Sequence, residues 1–320
     1  MEWYIRYKED VRWAFDQAKD QILGWEEPFR RQALHYLEGF DITRREVPTN
    51  YISFLLPFWM EEASGQSRCL SRQLSTANLF GMMSYHLLDE AMDKPGTPIN
   101  EVQSNQAKLH HTLALAAMLH TEFTQIYSRI FPAASPFWGY FRTYQSEWAA
   151  AVTGELDRDW LHEDPLKMGH KASLVKLAAA GMLLLGGLAD EITAAGLALD
   201  HTLMLLQMLD DWEDWNLDIE ELSYNSLAAM AHKELALPAE HKITYIEMRE
   251  ALYTRGVLSR YADKAAEGHD AVAKSAALVP ELYEFYQFLL DNLQAGAAQI
   301  EREQLLLLGG GLQYWLTKQL

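Results

Sequence analysis

Apolar residues recur at three- and four-residue spacing along most of the chain. The stretches 101–131, 137–160, 166–189, 196–217 and 281–317 show this period and are rich in Ala, Leu, Met, Glu and Gln, the residues that lose least on entering a helix. No run of alternating β-branched residues bounded by turn dipeptides interrupts them. Ten prolines punctuate the chain, and DKPGTPIN at 93–100, with two prolines and a glycine, is the clearest loop. The pattern predicts an all-α fold, one helical-bundle domain over residues 1–320 with roughly ten or more helices. Two predicted helices, 166–189 beyond Lys176 and 196–209, are apolar on every side. Such helices belong in the middle of a large bundle.

Charge changes this picture in one respect. Acids (45) outnumber Lys+Arg (27), giving a net charge of −18, which argues against nucleic acid or an anionic membrane surface as partner. The single cysteine excludes an intramolecular disulfide and suits a reducing cytoplasm. The charged N-terminus MEWYIRYKEDVRW does not read as a secretory signal, and the longest uncharged apolar run, 177–189, is too short for stable membrane insertion.

The acids are not evenly spread. In GMMSYHLLDEAMD, Asp89 and Asp93 stand at i and i+4, on one face with Met82, Tyr85 and His86 below them and Glu90 beside them. In LLQMLDDWEDW the spacing repeats: Asp210 and Asp214, with Asp211 adjacent and Leu203, Leu206 and Gln207 below. Either pair alone reads as an ordinary solvated face. Yet from Leu177 to His232 there are ten acids and no lysine or arginine. Half-buried carboxylates without basic partners need a cation. Oxygen-only ligands suit Mg²⁺ shared with substrate phosphates. A di-iron bundle wants Glu-x-x-His, and a P-loop wants Gly-x-x-x-x-Gly-Lys; neither occurs. Two aspartate clusters facing each other across a helical cavity, with Mg²⁺ bridging to a diphosphate, fit best.

These motifs resemble those of the class I isoprenoid synthase superfamily, in particular trans-isoprenyl diphosphate synthases and the terpene synthases like them. DEAMD (Asp89–Asp93) resembles the first aspartate-rich motif Asp-Asp-x-x-Asp. LQMLDDWED (Leu206–Asp214) matches the second motif, Phe-Gln-x-x-Asp-Asp-x-x-Asp, except at the leading Phe, and Asp218 falls where a further aspartate is common. GHKASLVKL resembles the Lys-Thr segment, with Lys171 as its diphosphate-gripping lysine. TRREVP (Thr43–Pro48) resembles Lys-Arg-x-Arg-Pro, with Arg44 and Arg45 in the basic places and Val47 replacing the last arginine.

The resemblance implies a central cavity with aspartate clusters at its mouth. It implies three Mg²⁺ ions held by Asp89, Glu90, Asp93, Asp210, Asp211 and Asp214, a prenyl diphosphate substrate, and a homodimer. Arg44, Arg45, Lys171 and Gln207 would bind the diphosphate end, and Met82, Tyr85, His86 and Leu203 the hydrocarbon end. Trp212, Trp215 and PFWM (Pro57–Met60) are further wall candidates, with core packing as the ordinary alternative. Chain-elongating relatives follow the first motif with an Arg-Arg-Gly turn for isopentenyl diphosphate; this chain has DKPGTPIN instead. The Gly-Lys segment expected after the second motif is also missing, its place taken by WNLDIEELSYNSL. The expected activity is therefore ionisation and cyclisation of a linear prenyl diphosphate, with chain elongation as the alternative. A non-catalytic partner subunit is a third class, but such a subunit would be expected to have eroded one of the two clusters.

Overall fold

The computed structural model describes residues 1–42, 51–92, 102–154 and 158–308. They form an all-α fold with no strand among the described residues. The helices are α1 (Glu2–Ile5), α2 (Lys8–Leu23), α3 (Phe29–Gly39), α4 (Tyr51–Ser64), α5 (Arg68–Met92), α6 (Val102–Ile130), α7 (Phe137–Gly154) and α8 (Trp160–Glu163). A 3₁₀ segment, Pro165–Val175, leads into α9 (Lys176–Leu185), α10 (Ile192–Glu221), α11 (Ser226–Glu234), α12 (Tyr245–Arg255), α13 (Val257–Ala266), α14 (His269–Ser275) and α15 (Pro280–Leu308).

The two helices that carry the acid clusters run through one continuous core. In α5, residues from Leu74 to Tyr85 are buried on nearly every side, and its polar members bond to neighbouring backbones. Pro57 sits inside α4 and has no N–H to offer Ser53 four residues back. Asn78 supplies the missing donor: its Nδ2 lies 2.9 Å from the Ser53 carbonyl, while its Oδ1 accepts from Tyr127 at 2.9 Å. Ser75 donates to Phe54 O at 2.9 Å and Ser84 to Ala116 O at 2.8 Å. Small polar residues thus bind α5 to α4 and α6 without exposing it.

The helix expected over 166–189 is two pieces. The 3₁₀ segment packs on α10 so closely that a Cβ on Gly169 would stand 2.6 Å from Met204 N and 2.8 Å from Leu203 C. Backbone-to-backbone contact of this kind leaves no room for a side chain, and the tighter winding carries Lys171 toward α5. At the junction Lys176, only 2% exposed, is held by Glu147 at 2.7 Å and Asp200 at 2.6 Å. The buried lysine and its two half-buried acids fasten α7, α9 and α10 together. The stretches Pro165–Leu185 and Ala189–Glu221 are apolar and long enough to pass for membrane spans, but 67% and 56% of their most apolar windows are buried inside the protein. Their length reflects a deep core.

Gly169→Ala is expected to destabilise the protein by on the order of 3 kcal/mol, since neither backbone can retreat from the new methyl group. Urea unfolding checks this; a parental midpoint would mean that the segment and α10 are free to separate.

Candidate active site

A cavity of about 310 Å³ opens between α5, the 3₁₀ segment and α10. Asp89, then His86 and Tyr85, then Met82 and Gly81, and finally Asn78 line it down α5; Asp210, then Gln207 and Leu206, then Leu203 line it down α10. Lys171 comes from the 3₁₀ segment, Phe123 from α6, Trp148 from α7, and Ile52 and Ser53 from α4. The mouth is charged and the interior apolar and aromatic: Tyr85 sets its ring edge against Trp148 at 4.6 Å and lies 6.3 Å from Phe123.

Lys171 Nζ stands 3.9 Å from Asp89 Oδ2, joining two sides of the mouth. Across from it, Asp210 is crowded. The residue is exposed at the mouth, yet the protein packed around it strips part of the carboxyl's hydration, and Asp211, Asp214, Asp218 and Glu213 add negative charge, so its pKa is pushed up to about 7. Burial likewise raises Asp211, Asp218 and Glu213, while the Lys171 charge partly opposes the rise at Asp211 and Asp218. Asp214, one turn on, is exposed.

Asp211, expected as a metal ligand, is not among the residues that line the cavity. Its side chain turns away from the cavity and is 4% exposed. Oδ1 accepts from Gln207 Nε2 at 2.9 Å, and Oδ2 accepts from Ser226 N at 2.9 Å and from the Ser226 hydroxyl. Tyr261 OH bonds in turn to that hydroxyl. Asp211 is the buried anchor of the α10 turn, and its contact commits the Gln207 amide nitrogen to anchoring as well. Asn225 completes the arrangement. Its Nδ2 donates to Asp211 O and Asp218 Oδ2, both at 2.7 Å, and its Oδ1 caps α11 by accepting from Ala228 N at 2.9 Å. These residues lie in the sequence that stands where a Gly-Lys segment was expected.

Glu90, also expected as a ligand, is not among the lining residues either. It stands aside from the cavity wall, 3.7 Å from His86 Nδ1 and 43% exposed, and the same imidazole nitrogen bonds Tyr36 OH at 2.6 Å. Of the aromatic candidates, Phe58, Trp59 and Met60 are core residues, and the α4 wall is made one turn earlier by Ile52 and Ser53. Trp212 packs against Gly296, whose added Cβ would meet its Nε1 at 2.7 Å, and Trp215 stacks on Tyr245 at 5.3 Å. Arg158 pairs with Glu163 at 3.4 Å, and Arg142 lines a separate surface groove with Lys167 and His170. Asp93, Arg44, Arg45 and the 93–100 loop lie outside the described residues. Met82, Tyr85, His86, Asp89, Lys171, Leu203, Leu206, Gln207 and Asp210 are brought together. Asn78, Ser53, Phe123 and Trp148 were missed, though a proline inside a helical run and a lone Asn among apolar residues are signals that could have found the first two.

The donor set suits a hard divalent cation. It consists of carboxylate oxygens from two facing helices, short of compensating charge. Among the described residues no three acid, His or Cys side chains converge into a ready-made cage. Mg²⁺ does not need one, because it takes one or two carboxylates and completes its shell with water and phosphate oxygens.

No protein-family model and no curated protein sequence matches the chain. Among solved structures it is similar to a geranylgeranyl pyrophosphate synthetase from the archaeon Geoglobus acetivorans. The TM-score is 0.67 at 17% identity, over 88% of this chain and 97% of that one. The chain has the isoprenyl diphosphate synthase fold.

A carboxyl whose pKa rises on folding favours the folded state while protonated. That contribution is present at low pH and is lost as pH climbs from the ordinary aspartate range through about 7. In metal-free protein, Asp210→Asn is therefore expected to resist urea better than the parent at pH 8, with the advantage gone at pH 4. An advantage that does not change with pH would rule out the crowding of Asp210.

Proposed function

We propose that the protein is a Mg²⁺-dependent class I terpene synthase that ionises a linear prenyl diphosphate and releases pyrophosphate with a cyclic or rearranged terpene. The observation that carries this reading is the cavity itself: carboxylates on two facing helices with Lys171 between them at the mouth, above an apolar, aromatic interior. Asp89, Asp210 and Asp214, with Asp93, would hold the metal. Bound there, Mg²⁺ supplies Lewis-acid stabilisation of the negative charge on the departing diphosphate.

The chain's own residues do the rest. Lys171 brings a positive charge to the leaving oxygens. Asp211, fixed by Ser226 and Gln207, holds the α10 turn so that Asp210 faces the mouth. Tyr85, Phe123 and Trp148 present ring faces and edges to the allylic cation and exclude bulk water from it. The floor at Asn78 lies eleven residues below Asp89 on α5, or roughly 16 Å at the helical rise. An isoprene unit advances about 5 Å at roughly 1.5 Å per bond. The depth therefore favours a C15 substrate.

The second reading, a chain-elongating isoprenyl diphosphate synthase, is supported by the solved structure reported above, whose name states that activity. Purified protein incubated with Mg²⁺ and C10, C15, C20 or C25 prenyl diphosphates, with and without isopentenyl diphosphate, separates the two. A hydrocarbon or alcohol formed from C15 without isopentenyl diphosphate is expected. A longer diphosphate that forms only when it is added would establish elongation instead. Asp89→Ala and Asp210→Ala are each expected to lower turnover by about 10²-fold or more, and unchanged turnover in both would remove the metal-site assignment.

A further inference from the structure

The deep end of the cavity is polar, which its apolar walls do not require. Ser53 and Asn78 both line it, 6% and 4% exposed. Asn78 is there to satisfy the carbonyl that Pro57 leaves without a partner, and that task uses one of its two amide hydrogens. The Ser53 hydroxyl makes no hydrogen bond with any described residue. It faces the cavity, so its hydrogen-bonding capacity is to be met from there. A small polar molecule with two to four hydrogen-bonding neighbours meets that need, and the site offers a hydroxyl, a spare amide N–H and a carbonyl lone pair within one turn of α4 and the facing turn of α5.

We propose that Ser53 and Asn78 hold a single water at the cavity floor and that this water adds to the terminal cation, making the product a terpene alcohol. The step rests on the reading of the protein as a synthase that ionises a prenyl diphosphate. Ionisation breaks the allylic C–O bond, and the electron pair leaves with pyrophosphate. A lone pair of the floor water then forms a new C–O bond to the cationic carbon of the rearranged chain. One hydrogen stays on the product hydroxyl, and the other ends as a proton on pyrophosphate. Prenyl diphosphate plus water thus gives alcohol plus hydrogen pyrophosphate, with no oxidant or reductant. One positioned water also explains how a cavity built to exclude solvent can still deliver a single nucleophile.

The test uses Ser53→Ala, which deletes one buried oxygen and leaves the Asn78 bond to the Ser53 carbonyl in place. With the C15 diphosphate and Mg²⁺ in ¹⁸O-labelled water, the parent is expected to yield mainly a labelled alcohol. Per pyrophosphate released, the variant's products should shift at least about 10-fold toward hydrocarbon. Pyrophosphate release with only hydrocarbon from the parent, or an undiminished alcohol fraction from the variant, would overturn the proposal and leave the synthase reading standing. Absence of pyrophosphate release from every prenyl diphosphate would overturn both. A crystal structure of the unliganded protein gives a readout free of turnover. Density for one water within hydrogen-bonding distance of Ser53 Oγ and Asn78 Nδ2 is expected in the parent and not in the variant, and a dry parental floor would refute it.

Discussion

Everything about the site follows from the difficulty of keeping carboxylates close together at the edge of an apolar core. Asp210, Asp211, Asp214 and Asp218 occupy little more than two turns of one helix, and each raises the cost of ionising the others. The protein handles them in different ways. Asp211 is taken into the core and surrounded by hydrogen-bond donors, and Asp218 accepts a hydrogen bond from Asn225. Asp210 is left facing the mouth with its charge poorly compensated. That residual demand for positive charge sets it apart from Asp89, which has Lys171 3.9 Å away.

The same division shows what could be read from the chain. The burial of α5 and α10 was legible because apolar residues continue around the helix and basic residues stop. The convergence of Asp89, Lys171 and Asp210 on one mouth was legible from the resemblance and the matching acid spacing. Opposite roles for Asp210 and Asp211 were not, because adjacent residues on a helix point about 100° apart and only the packing of α11 and α13 decides which one meets solvent. Trp212 and Trp215 misled for the same reason: aromatics beside a site motif are indistinguishable in sequence from aromatics in the core. The break at Lys176 depends on a glycine meeting another helix backbone, which no local pattern encodes.

Similarity of fold at 17% identity fits this division of labour. Most of the bundle can change residue by residue so long as apolar helices fill the same volume. Positions where helices approach closely, such as Gly169 against α10, tolerate less change. Elsewhere the surface is free to drift, here toward strong acidity.

Asn225 deserves a last consideration as a mechanical part. It joins the start of α11 to two points, seven residues apart, on the final turns of α10. A strut with three attachments permits neither sliding nor rotation between the bodies it connects. Tilting the acidic turn would therefore carry α11 with it and, through Ser226 and Tyr261, α13 as well.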